Sequence, residues 1–117
     1  MFLVAGSDRE FAVIRERLWT KPDGKAHSAP DFHYRGVTYS RHGQWALAVA
    51  QWRKAVGLAP AQRQYAKDLG IGYAHIGRFD RSVRVLEELQ RQAPDDAQIA
   101  QILDLVREQM AQLGKPA

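Results

Sequence analysis

The feature that most constrains this sequence is an internal repeat with a period of 34 residues. When the chain is compared with itself at that offset, glycines, tyrosines, alanines and prolines coincide, and similar residues replace one another between them. One coincidence would carry no information, but ten in the same register indicate a duplicated structural unit. The matching pairs are Gly36 and Gly70, Tyr39 and Tyr73, Gly43 and Gly77, Val49 and Val83, Ala59 and Ala93, Pro60 and Pro94, Val37 and Ile71, Trp45 and Phe79, Ala48 and Ser82, and Trp52 and Leu86.

Each unit is predicted to contain two helices. Gly43 and Gly77 are placed where a residue with left-handed backbone ends the first helix. Pro60 and Pro94 follow the second helix, which a proline cannot continue. The first helix is expected at residues 31–41 and 61–75, and the second at 44–57 and 78–92.

Residues 1–28 precede the repeat and have a different pattern. Residues 7–10 (Ser-Asp-Arg-Glu) match a capping box, and Phe11, Ile14 and Leu18 follow at helical spacing. This pattern predicts a short amphipathic helix. The loop at residues 20–29 contains Pro-Asp-Gly, which favours a turn.

The chain after Pro94 predicts one further amphipathic helix. Asp95 is the expected N-cap, with Gln98 three residues later. A helix that is apolar on one side and polar on the other can cap a helical stack. Its apolar stripe is formed by Ile99, Ile102, Leu103, Val106, Met110 and Leu113.

These positions resemble the tetratricopeptide repeat (TPR) family. The family pattern is an aromatic residue, Leu-Gly, a tyrosine, an alanine with an aromatic residue four positions on, and a proline. Arg35, Ala66, Ser82 and Leu86 depart from it. The first unit has Phe32, Arg35, Gly36, Tyr39, Ala48, Trp52 and Pro60, and the second has Ala66, Leu69, Gly70, Tyr73, Ser82, Leu86 and Pro94.

The resemblance implies an all-α protein in which helix-turn-helix repeats form a right-handed stack. Repeat 1 would occupy residues 29–62 and repeat 2 residues 63–96, followed by a capping helix at 97–117. The N-terminal amphipathic helix and its loop, residues 1–28, would precede them.

The resemblance also implies a concave groove that is lined by the first helix of each unit and binds a peptide or helix of another protein. Some members clamp a terminal carboxylate with lysine and asparagine, but the matching positions here hold His33, Val37 and Ile71, which leaves only Lys67. A mixed apolar and basic groove suits a partner with apolar anchors and some acidic residues. The expected groove residues are His33, Val37, Ser40, Arg41, Gln64, Lys67, Ile71, Ala74, His75, Gln101, Leu105 and Glu108.

The net charge of +4 is unevenly distributed. Residues 1–60 hold nine Lys and Arg against five Asp and Glu, whereas residues 61–117 hold eight of each sign. The excess could favour an acidic partner surface, although a solvated basic surface is the simpler interpretation.

The chain has no cysteine, which excludes disulfides, thiolate metal sites and a cysteine nucleophile. No stretch approaches the roughly 20 apolar residues that span a bilayer, and the apolar residues 1–5 are too few for a signal peptide. We expect a soluble protein and favour the cytoplasm, although the compartment is not fixed by the sequence. Residues 1–5 could be a true N-terminus or the remnant of a longer protein.

No residue pattern indicates catalysis or metal binding. The glycines follow the repeat period and form no phosphate-binding loop, and Glu87 and Glu88 lie on the outer face of a predicted helix. No histidine pair has the spacing of a helical metal site. We therefore expect no enzyme activity, no metal and no cofactor. The histidines are His27, His33, His42 and His75.

Two alternatives to peptide binding remain open. Two repeats are fewer than the three that usually make a stable stack, so the chain could be a permanent subunit of an assembly or a homo-oligomer. Exposed apolar surface, for example at Tyr65, would support that role. Nucleic-acid binding is the rival from another class, but Trp45 and Trp52 occupy packing positions and the basic residues form no run.

Overall fold

The computed structural model describes residues 28–114, so the predicted N-terminal helix lies outside the described residues. Within residues 28–114 the chain forms five α-helices and no β-strand, and this confirms the all-α prediction for that part. The helices are α1 (Ala29–Arg41), α2 (Trp45–Leu58), α3 (Arg63–His75), α4 (Phe79–Gln92) and α5 (Ala97–Leu113).

The 34-residue period recurs in the backbone. The turn between α1 and α2 and the turn between α3 and α4 each contain a glycine with positive φ, +74° at Gly43 and +79° at Gly77. The residue after each glycine donates its amide to a tyrosine carbonyl, from Gln44 to Tyr39 at 3.0 Å and from Arg78 to Tyr73 at 2.8 Å. The left-handed glycines expected from the sequence are confirmed.

Each helix of the two units begins one or two residues away from its sequence-based position, and α2 and α4 begin one residue late, at Trp45 and Phe79. Ser28 caps α1 by accepting a hydrogen bond from the Asp31 amide, so α1 begins at Ala29 and not at residue 31. Pro30 fits the first turn because the amide hydrogen that it lacks has no partner within the helix there. Helix α3 begins at Arg63 rather than at residue 61. The N-cap of α5 is Asp96 and not Asp95: Asp96 Oδ1 accepts the Gln98 amide at 3.1 Å.

Each hairpin closes where a glycine faces a bulky side chain of the following helix. A Cβ on Gly36 would overlap the indole of Trp52, whose Nε1 donates to the His33 carbonyl at 3.2 Å. A Cβ on Gly70 would lie 2.8 Å from the Leu86 side chain. The two glycines therefore allow α1 to approach α2 and α3 to approach α4 at equivalent positions.

The core consists of three apolar clusters rather than a single centre. Val56 and Val85 pack against both the first and the second cluster and so join them. Burial of these side chains is the main stabilising contribution to the stack. The clusters are Ala48, Val49, Trp52, Leu69 and Tyr73; then Ala66, Leu89, Ala93 and Ile99; then Leu86, Leu103 and Val106.

Candidate protein-binding groove

An open apolar cleft lies between α3, the first helix of the second unit, and α5, the helix that follows that unit. Its volume is about 470 Å³. The lining residues of each helix recur at spacings of three and four, which places them on one helical face. They are Ile71, Ala74 and His75 from α3, and Ile102, Leu105, Val106 and Gln109 from α5.

Leu105 is the most exposed apolar side chain of this cleft. It is 61% exposed, whereas Val106 beside it is buried in the third cluster. Leu105 also borders a second, shallower depression of about 380 Å³ that it shares with Gln101, Asp104 and Glu108. Leu105 is thus common to both depressions on α5.

His75, which lines the cleft, forms a ring stack with Trp45 of α2. The imidazole of His75 lies parallel to the Trp45 indole, with 3.7 Å between ring centroids and 1° between planes. Trp45 is half-buried and also contacts Trp52. The stack ties the last turn of α3 to the first turn of α2.

Lys67, a predicted groove cation, instead joins α3 to α5. Its side chain is buried, and Nζ lies 2.9 Å from Asp96 Oδ2 and 2.7 Å from Gln98 Oε1. The hydrogen bond from Lys67, with a further one from Arg63, holds the pKa of the Asp96 carboxyl below its usual value, and burial opposes this shift. The ammonium group is therefore already paired within the chain.

His33 is also paired. Its Nε2 lies 2.6 Å from Asp68 Oδ2, and Nε2 must carry the proton because a carboxylate accepts only. The other Asp68 oxygen accepts from Gln64 Nε2 at 3.1 Å. The His33 ring stacks on Tyr65 with centroids 4.6 Å apart, which leaves Tyr65 half-buried.

The remaining predicted groove residues on α1 lie apart from the cleft between α3 and α5. Val37 packs against the first cluster, and Ser40 Oγ donates to the Val37 carbonyl at 2.8 Å. Arg41 is exposed in the last turn of α1.

The structure thus brings part of the predicted set together. Ile71, Ala74, His75 and Leu105 line the cleft, and Gln101 and Glu108 line the adjoining depression. Sequence reasoning missed Ile102, Val106, Gln109 and Asp104. The sequence pattern places Ile102 and Val106 in the packing stripe of α5, but both also lie within one turn of Leu105, and this adjacency is the signal that indicates them.

Within residues 28–114 no group of three or more histidine and acidic side chains is placed to hold a metal ion. No helix of that part is both long enough and apolar enough to cross a membrane.

No family model matches the chain. Over 98 residues the chain is 26% identical to the poly-beta-1,6-N-acetyl-D-glucosamine export proteins of Escherichia coli strain K12 and Escherichia coli O157:H7. The match covers 83% of this chain but only 12% of each relative, so the chain corresponds to a small segment of those proteins.

Proposed function

We propose that this chain is a tetratricopeptide-type repeat module that binds a segment of another protein, and that it is not an enzyme. The observation that carries the proposal is the open apolar cleft between α3 and α5. The cleft lies between the first helix of the second unit and the capping helix, and the family resemblance implies a partner groove to which both helices contribute.

The size and lining of the cleft favour a peptide segment over a folded surface. A volume of about 470 Å³ accommodates a few side chains. Leu105 and Ile71 retain exposed apolar area, and burying such area against an anchor side chain is favourable by about 25 cal/mol per Å². One or two apolar anchors of a partner would therefore account for most of the affinity.

A second candidate is a permanent subunit of an assembly or a homo-oligomer. It is favoured by large apolar side chains that stay exposed outside the cleft, on α2 and at the end of α5. Sedimentation velocity over a range of concentrations tests self-association directly. These side chains are Leu47, Leu58, Met110 and Leu113.

The test of the groove uses two matched leucine substitutions. Leu105→Asp places a charge in the cleft, whereas Leu47→Asp places the same charge on an exposed site outside its lining. Both leucines are exposed, so both variants should keep the circular dichroism spectrum of the wild type. Lys67 is unsuitable for this purpose because its substitution would break the contact with Asp96.

The immobilised wild type, Leu105→Asp and Leu47→Asp are compared in capturing proteins from a native extract. We expect a protein that is retained by the wild type and by Leu47→Asp and lost by Leu105→Asp. Equal retention by all three would place the interface elsewhere. Recovery of nucleic acid alone, removed by high salt, would replace the proposal with the nucleic-acid alternative.

The names of the relatives add one competitor to this experiment. Those proteins export a poly-β-1,6-N-acetyl-D-glucosamine. Soluble oligosaccharides of that polymer are therefore added during capture. If they bind the chain and displace no protein, a carbohydrate site separate from the cleft is indicated; if they compete in the cleft, the peptide proposal is wrong.

A further inference from the structure

The side of the cleft formed by α5 carries two carboxylates. Asp104 and Glu108 stand one helical turn apart on either side of Leu105, and both are exposed. Neither forms a hydrogen bond or an ion pair with the residues between 28 and 114. Like charges at this spacing repel each other, so a cation placed between them would be stabilised.

The nearest other acidic residues, Asp68 of α3 and the α5 cap Asp96, do have hydrogen-bond partners within the chain. Asp68 is bonded by His33 and Gln64, and Asp96 by Lys67 and Arg63. Arg107 is the neighbouring cation on α5, and it pairs with Glu87 of α4. Asp68 and Asp96 are therefore hydrogen-bonded within the chain, whereas Asp104 and Glu108 beside Leu105 have no such partner among residues 28–114.

The basic side chains of the predicted groove on which an acidic partner would depend are bonded within the chain or lie outside the cleft. Lys67 is buried against Asp96, and His33 is bonded to Asp68. Arg41 is exposed, but it belongs to α1 and does not line the cleft between α3 and α5. The local charge beside the apolar cleft is thus negative, although the net charge of the chain is +4.

From this charge complementarity, and resting on the proposed function, we infer that the occupant of the cleft is a protein segment with an apolar anchor flanked by lysine or arginine. The anchor lies among Ile71, Ile102 and Leu105. The flanking ammonium or guanidinium group lies against Asp104 and Glu108.

The test measures fluorescence anisotropy with three short labelled peptides. The first has two leucines flanked by lysines, the second has glutamates in place of the lysines, and the third keeps the lysines but has serines in place of the leucines. We expect the wild type to bind the lysine–leucine peptide roughly three- to tenfold more tightly than the glutamate–leucine peptide at low salt. The positive net charge of the chain favours the opposite order, so it cannot produce this result.

Two double variants complete the test. Asp104→Asn with Glu108→Gln should abolish the preference for lysine while dependence on leucine remains. Asp80→Asn with Asp95→Asn changes the net charge equally at exposed sites outside the cleft and should keep the preference.

The outcomes separate the inference from the function on which it rests. Equal binding of the two leucine peptides, preference for glutamate, or a lysine preference that survives Asp104→Asn with Glu108→Gln overturns the inference alone. If neither leucine peptide binds, or if the serine peptide binds equally well, the apolar cleft is not a peptide site and the proposed function fails with it.

Discussion

Gly36 and Gly70 occupy equivalent places where a side chain of the next helix presses on the backbone. Trp52 fills the space over Gly36, and Leu86 fills the space over Gly70. In the second unit Ser82 adds a buried hydrogen bond, from its Oγ to the Gly70 carbonyl at 2.6 Å. At the residue scale, the close packing of the two helices in each hairpin thus requires that Gly36 and Gly70 have no Cβ atom.

Gly36→Ala should therefore destabilise the fold, even though alanine is the better helix former. The added methyl overlaps the rigid Trp52 indole and threatens its hydrogen bond to His33. Overpacking costs about 1–3 kcal/mol, while the helix preference of alanine returns up to about 1 kcal/mol. Urea unfolding should show a net loss.

Gly57→Ala is the matched control. Gly57 also lies in a helix, but an added Cβ would meet nothing within 4 Å. This variant should be more stable than the wild type by about 0.5–1 kcal/mol. If both substitutions stabilise the protein, the contact between Gly36 and Trp52 does not limit packing.

Single residues differ in how far the sequence could predict them. The closeness of Gly36 to Trp52 was predictable, because the repeat register and the helical spacing place both on facing surfaces. The pairing of Lys67 was not, because its acceptor Gln98 lies 31 residues away and only the geometry of α3 and α5 brings the two together. Lys67, which the sequence predicts to face a partner, is therefore hydrogen-bonded within the chain instead.

At the scale of elements, Asp96 attaches the start of α5 to α3. One oxygen caps α5 through the Gln98 amide, and the other contacts Lys67 and Arg63. The sequence predicts a cap at this point, but at the neighbouring Asp95 and not at Asp96. Both aspartates can cap a helix, and the choice depends on the extended backbone conformation of Asp96, which the residue types do not specify.

Asp96→Asn should reveal the ionic part of this contact through its pH dependence. Asparagine still caps helices well, so the variant mainly loses the charge. Because the pKa of Asp96 is lowered in the folded state, its stabilising effect is complete above the unfolded value of about 4 and is lost as pH falls through the folded pKa. We expect the variant to have a lower Tm at pH 7 and the difference to shrink below about pH 4.

Asp95→Asn removes the same charge from an exposed neighbour that is not the cap. Its Tm should follow that of the wild type from pH 7 to the acid range. A constant difference between the wild type and Asp96→Asn at all pH values would mean that the carboxylate charge contributes nothing.

At the scale of the whole molecule, the helices form a sequence of neighbours. α1 packs on α2, α2 on α3, α3 on α4, and α4 on α5, with a smaller contact between α3 and α5. In such a stack each unit is stabilised mainly by the adjacent one. A perturbation at one end should therefore weaken as it passes along the chain.

Leu103→Ala tests this locality. Leu103 is 1% exposed in the third cluster, and its truncation should cost about 2–5 kcal/mol. Hydrogen exchange should accelerate more in α4 and α5 than in α1 and α2. Leu113→Ala, at a site that is 72% exposed, should change little. Equal acceleration in all five helices would instead indicate a single cooperative unit.

The candidate site was predictable only as far as the repeat determines it. The register places Val37, Ile71 and Leu105 at equivalent positions, and two of these three line the cleft. Ile102 and Gln109 line the cleft because of the distance between α3 and α5. That distance is set by packing between residues far apart in the chain and has no local signature.

The turn between α2 and α3 and the turn between α4 and α5 have the same backbone conformation at both ends, so a further repeat can be added to the chain. At the start of the turn, φ and ψ are −139° and 70° for Ala59 and −136° and 69° for Ala93. At its end they are −84° and 99° for Gln62 and −83° and 100° for Asp96. A second copy of residues 63–96 can therefore be inserted after residue 96 without designing a new loop. The lengthened protein would repeat the cleft at a constant interval. Under the proposed function, the number of repeats would then set the distance between the apolar anchors that a bound segment must present.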